Sequence, residues 1–128
     1  MDIGLLPVNR YQERFLPAAA PILPGFDVAG RVHPAEFAAG DYFDYLPIGN
    51  GQVGVVIGDV AGHGFGPALI MASTHVMLRL LVESHWDVAE ILTLANSVLV
   101  KETEEDRFVT LLLACLDPGT SGQGIDEP

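Results

Sequence analysis

Two Gly-Asp dipeptides, Gly40-Asp41 and Gly58-Asp59, flank the tripeptide Gly49-Asn50-Gly51. Such a tripeptide between apolar runs is a strong hairpin signal, because Asn and Gly accept the backbone angles a tight reversal needs. A turn centred on Asn50 pairs Ile48 with Gln52, Tyr45 with Val55 and Asp41 with Asp59. Directly opposed residues have Cβ atoms about 5 Å apart, so two carboxylates there repel, or one of them is driven to hold its proton. A hard divalent cation removes the conflict: Mg²⁺ and Mn²⁺ take carboxylate, carbonyl and water oxygens, and Mg²⁺ commonly uses only one or two protein carboxylates. A slip of one residue would send the two aspartates to opposite faces. Aspartates also end strands and start turns with no ligand at all, so the spacing leaves both readings open.

The elements that must position this pair are legible around it. Tyr42, Phe43, Tyr45, Leu46 and Ile48 form one strand-like flank, and Val53, Val55, Val56 and Ile57 the other. Ala61-Gly62-His63-Gly64-Phe65-Gly66 follows, glycine-rich enough for a close approach to a ligand, and Pro67 then opens a helix whose free amides favour anions. No Gly-Lys-Ser or Gly-Lys-Thr follows, so this is not a nucleotide-binding Walker loop. Apolar residues cover most of the circumference over 67–84, which predicts a helix buried on several sides, with its methionines as core filler. Asp87 predicts the cap of a second helix reaching Lys101, and His75 and His85 are expected to be partnered or exposed side chains rather than ligands. Residues 101–107 read as a solvated turn, and the apolar run from Phe108 to Leu116 as an interior strand. Phe26–Val32 alternates as a first strand ended by His33-Pro34, with His33 on the surface. Helices plus hairpins give an α+β class.

The chain is divided into a connector helix and Pro-rich lead-in at 1–25, a domain at 26–118 and a polar tail at 119–128. The 128 residues are one domain's length, and 49% hydrophobic content is enough for a packed core. A formal charge of −11 argues against nucleic acid and anionic lipid as partners. The single cysteine, Cys115, excludes an intrachain disulfide and is expected to be buried and inert, which suits a reducing cytoplasm. No basic, then apolar, leader opens the sequence, and 67–82 is too short and too polar to span a bilayer. A cytoplasmic location is expected.

The segments GDYFD, VVIGDVAGHGFGPALIMA and RFVTLLLACLDP, in this order and spacing, closely resemble the SpoIIE/RsbU branch of the metal-dependent (PPM, type 2C) serine/threonine phosphatases. The preceding QERFLPAAAPILPGFDVAGRVHPA resembles the lead-in of that bacterial branch, where a helix joins an upstream sensor module to the phosphatase domain. The resemblance implies an α-β-β-α sandwich holding two Mn²⁺ or Mg²⁺ ions, whose bridging water attacks phosphoserine or phosphothreonine without a covalent phosphoenzyme. It carries metal ligation to Asp41, Asp59 and the backbone carbonyl of Val60. Asp44, Gly62, His63 and Gly64 are signature positions that shape the loop or support the ligands, and no side chain is implied as catalytic. The implied substrate is a phosphorylated protein, of the STAS-type anti-sigma-factor antagonists of partner switching.

Ala39 and Ala61 depart from the branch's usual GGD and DVSGHG. Nothing after Pro118 matches its later strands and their metal-binding aspartates, so the chain reads as an N-terminal part of the domain, a partial sandwich. An uncovered sheet edge would then favour self-association, with a homodimer as one form. The alternative function is a truncated, non-catalytic interaction module that keeps the fold. Plain Ca²⁺ binding is disfavoured, because no D-x-D-x-D-G loop is present.

Overall fold

The computed structural model describes residues 15–32, 40–62 and 65–119. The connector expected before Phe15, His33, and the tail beyond Gly119 lie outside them. Strand β1 (Asp41–Ile48) turns into β2 (Gln52–Val60), helices α1 (Phe65–Leu81) and α2 (Val88–Glu102) follow, and β3 (Val109–Leu116) returns to the sheet. The sheet is antiparallel in the order β1-β2-β3. Among the described residues, two helices on a three-stranded antiparallel sheet make an α+β fold, the helix-and-sheet part of the expected sandwich.

The turn is the one the tripeptide predicts. Asn50 and Gly51 take positive φ angles of 65° and 75°, which lets the chain reverse in three residues. Ile48 therefore faces Gln52, Tyr45 faces Val55 and Asp41 faces Asp59. Alternation then divides the side chains of the hairpin between two faces. Tyr42, Leu46 and Ile48 of β1 and Val56 and Val60 of β2 point under the helices, where they join Met71, Leu78, Val82, Ile91, Ala95 and Leu113 in one core. Asp41, Phe43, Val55, Ile57 and Asp59 belong to the opposite face.

Helix α1 starts two residues before Pro67, which is harmless because amides of a first helical turn have no partner within the helix. It is buried on one side only: Ala68, Met71, Thr74 and Leu78 are buried, whereas Leu69, Val76 and Leu80 are exposed. The broad apolar circumference thus exceeds what the described residues cover. Helix α2 has the expected cap, with the Glu90 amide donating to the Asp87 carboxylate at 2.9 Å.

Two expected strands differ. Phe26–Val32 forms no ladder; a turn with Gly25 at φ 82° joins an isolated Leu23–Phe26 bridge, and the chain then crosses the outer face. Gly30 is the point of contact, for a Cβ there would sit 2.7 Å from the Tyr45 hydroxyl and overlap the Phe43 ring. The alternation reflects packing across a sheet rather than pairing within it. Strand β3 is at an edge among the described strands, because only β2 pairs with it. Its apolar run serves two faces: Leu113 is buried under the helices, while Leu112 is 57% exposed on the other side. Cys115 is exposed and free, not buried as expected, and its thiol pKa is raised by partial desolvation and by Asp117.

A buried polar cluster fastens α1 to β1. Asp44 is fully buried and receives two bonds from Arg79, at 2.8 and 2.6 Å, one from the Tyr45 amide at 2.8 Å and one from the Tyr42 hydroxyl at 3.1 Å. His75 Nδ1 lies 3.2 Å from the Tyr42 hydroxyl and 3.4 Å from Asp44. The histidine is partnered, as expected, and so is His85, 3.2 Å from the Leu81 carbonyl. Burial alone would push the Asp44 pKa up, but hydrogen bonds from His75 and Arg79, the Arg79 charge and the Tyr45 amide outweigh it and hold the group below the usual carboxylate range. Burial first, and the Asp44 charge second, push the Tyr42 phenol far upward, so it stays protonated and donates.

Two outcomes follow from this cluster. In the unfolded chain Asp44 regains an ordinary pKa of about 3.9 and takes up a proton before the folded form does. Its contribution is therefore complete above about pH 4 and lost as pH falls through the lower folded value, so Asp44→Asn should flatten the acid limb of urea midpoints measured from pH 6 to 3. Arg79→Met strands a buried carboxylate and should cost about 3 kcal/mol in urea unfolding, the low end for a broken buried pair because the Arg79 side chain is 43% exposed.

Candidate metal centre

The hairpin register delivers Asp41 and Asp59 side by side at the open end of the β1–β2 pair, on the face away from the helices. Partial burial, then hydrogen bonding and charge from Asp59, raise the Asp41 pKa above the usual carboxylate value. Two acids thus share a position where one would rather be neutral, which is what an opposed like-charged pair must do without a counter-charge.

The backbone around the pair is equally constrained. The Val60 amide donates to the Gly40 carbonyl at 3.1 Å, so the residue before Asp41 grips the residue after Asp59. A Cβ on Gly40 would lie 2.7 Å from the Val60 carbonyl oxygen and 2.8 Å from its Cβ. Only glycine lets the two strands close this far, and a side chain there would displace the Val60 carbonyl. The Val60 side chain is buried in the core and Thr110 donates to the Asp59 carbonyl at 3.2 Å, so both ends of the Asp59-Val60 peptide are held from outside.

Beyond Val60 the chain enters the glycine-rich loop. The Ala61 amide donates to the Phe108 carbonyl at 2.9 Å, and Arg107 Nη1 donates to the Ala61 carbonyl at 3.1 Å. Gly62 has φ 93°, the left-handed conformation that the loop's glycines were expected to allow. His63 and Gly64 lie outside the described residues. On the outer face a cleft of about 560 Å³ runs up to the two aspartates, lined by Arg31, Phe43, Tyr45, Val55 and Ile57.

These donors suit a particular kind of ion. Two carboxylates and a nearby carbonyl are hard oxygen ligands, and among the described residues no group of three or more His, Cys, Asp or Glu side chains comes together. Such a set fits Mg²⁺ or Mn²⁺, which keep waters in their shell, and not a closed nitrogen–sulfur site of the zinc type. Asp44 is not part of it: its side chain points under the helices, on the opposite face of β1 from Asp41.

Sequence reasoning missed the roles of four residues, two at the loop and strand end and two at the buried Asp44. Gly40 was read only as part of a motif, not as the contact that fixes the Val60 carbonyl. His75 and Arg79 are four apart on one helix face, a spacing that could have marked them as joint partners for a buried acid. Arg107 was placed in a solvated turn; extending the register of β3 by two residues past Val109 would have brought it to the loop after Asp59.

Comparison with known proteins agrees with this architecture. The family model described as Stage II sporulation protein E (SpoIIE) matches residues 49–122. Protein IcfG of Synechocystis sp. is 33% identical over 71 residues, which is 56% of this chain and 11% of that protein. A crystal structure of the RsbU and RsbW domains of a Mycobacterium tuberculosis protein superposes with a TM-score of 0.63 and 28% identity, over 81% of this chain and 30% of the other. The chain therefore spans less than a third of either relative's length. With the fold, the strand register and the family model in agreement, the chain belongs to the Stage II sporulation protein E family.

Proposed function

We propose that this chain supplies part of the metal-binding site of a phosphoprotein phosphatase that hydrolyses phosphoserine or phosphothreonine. The observation that carries the reading is the Asp41–Asp59 pairing at the end of the hairpin, with the Val60 carbonyl pinned beside it. Asp41, Asp59 and the Val60 carbonyl would hold Mn²⁺ or Mg²⁺, two ions in the complete family site. Bound there, the ions supply a water of lowered pKa and positive charge for the phosphoryl oxygens. The protein's own part is to hold the two carboxylates opposed and to keep the apolar outer face beside them. No side-chain nucleophile is required, and neither Ser73 nor the exposed Cys115 lies on the path.

The substrate class is a phosphorylated protein, of the STAS-type anti-sigma-factor antagonists in partner switching, with an upstream sensor module governing the activity. Family membership and the likeness to an RsbU domain support this assignment. A second reading, an interaction module that keeps the fold without turnover, is favoured by one observation: the described residues gather two carboxylates and no third metal-ligating side chain.

Hydrolysis of an aryl phosphate with and without Mn²⁺ separates the two. The phosphatase reading expects Mn²⁺-dependent turnover that Asp59→Asn abolishes in folded protein; absence of turnover from the folded wild-type chain supports the interaction module. The same substitution should raise metal-free stability by about 0.5 kcal/mol, because it removes one of two like charges set directly across a strand pair. Urea unfolding in the presence of a chelator measures this gain.

A further inference from the structure

Both polar backbone groups of Ala61 are engaged by two consecutive residues far away in sequence: Phe108 accepts from its amide and Arg107 donates to its carbonyl. The pairing of β2 with β3 is thereby carried past Val60–Val109 into the loop, and it ends in a side-chain bond instead of a further ladder bond. Arg107 is half-buried, and the turn before it is set by its own amide donating to the Glu104 carbonyl at 2.9 Å.

The guanidinium also forms a wall of the loop. A Cβ on Gly62 would sit 2.6 Å from Arg107 Nη1, and one on Gly66 would sit 3.4 Å from Nη2. The planar head thus lies against both glycines while bonded to the carbonyl between Val60 and Gly62. Gly62 at φ 93° is the residue at which the chain leaves the strand direction, so the group that contacts it helps decide where the preceding carbonyl points.

We propose that Arg107 is a positioning residue for the metal site: bonded to the Ala61 carbonyl and lying against Gly62 it fixes the Ala61–Gly62 peptide, while the Phe108 carbonyl holds the Ala61 amide, and the two together restrict rotation of the Val60 carbonyl. The role rests on the phosphatase reading above, because that reading makes the Val60 carbonyl a ligand. Arg107 itself touches neither the ion nor the substrate. Gly40 constrains the Val60 carbonyl directly, through a close backbone contact, and Arg107 acts one residue further along. Arg is suited to the task, since its fixed, planar fork can bond a carbonyl and cover a glycine surface at once, which a lysine ammonium does less well.

The test compares wild type, Arg107→Met and Arg107→Lys by calorimetric titration with Mn²⁺ alone and by amide hydrogen exchange in the metal-free chain. Loss of a group that orients a ligand typically costs ten- to a hundredfold in metal affinity. Arg107→Met is expected to weaken Mn²⁺ binding roughly tenfold and to speed exchange at Ala61 and Gly62, while the Tyr45 and Val55 amides in the middle of the hairpin keep their protection. Arg107→Lys should recover part of the affinity. Wild-type binding that Arg107→Met leaves unchanged overturns the role of Arg107 and leaves the metal site standing. A folded wild-type chain that takes up no Mn²⁺ overturns the metal-site reading and this inference with it. Weaker binding accompanied by loss of protection throughout the sheet contradicts the positioning role, because it shows general destabilisation.

Discussion

The strand register of one hairpin sets what this chain can do. Three residues, Gly49 to Gly51, reverse the chain, and the positive φ angles at Asn50 and Gly51 leave no freedom to slip. From that turn onward every pair is determined, out to Asp41 opposite Asp59. The electrostatic cost of opposing two carboxylates is accepted at the far end of an otherwise apolar ladder. A conflict of this kind is stable when the rest of the sheet outweighs it, and useful when a cation resolves it.

The two faces of the same strands divide the labour. Under the helices, Asp44 is completely buried but surrounded by donors from Arg79, Tyr42 and the Tyr45 amide, so its charge is retained and ties α1 to β1. On the outer face, no such donor among the described residues reaches Asp41 or Asp59, and the two lean on each other. Two acids only three residues apart, Asp41 and Asp44, thus have opposite environments because the strand alternates. The first is left in need of a counter-ion, and the second has found one. The helix that carries Arg79 and His75 begins directly after the glycine loop, so the anchoring of Asp44 and the placing of the loop are properties of one continuous segment.

Much of this was legible beforehand. The hairpin, its register, the Asp87 cap and both helices follow from local rules: turn chemistry, helical spacing and capping each act within a few residues. What local rules could not supply were contacts between distant segments. The alternation of Phe26–Val32 satisfied a strand pattern, yet Gly30 lays it across Phe43 and Tyr45 instead of alongside an edge. The apolar run of β3 suggested an interior strand, since sequence reports that both faces are apolar but not whether a neighbour pairs. Arg107 read as part of a solvated turn and Arg79 was given no partner, and only the tertiary fold supplies each with its acceptor. Likeness to the SpoIIE/RsbU phosphatases pointed to the aspartates as ligands, and the register sets those two side by side.

The most direct measurement is amide NMR of the folded chain titrated with substoichiometric Mn²⁺, whose unpaired electrons broaden signals near the ion. Broadening confined at first to Gly40, Asp41, Asp59 and Val60 is expected of an ion held at the hairpin end. Broadening that begins instead at the exposed acidic stretch of Glu102, Glu104, Glu105 and Asp106, with the hairpin end unaffected, would contradict it.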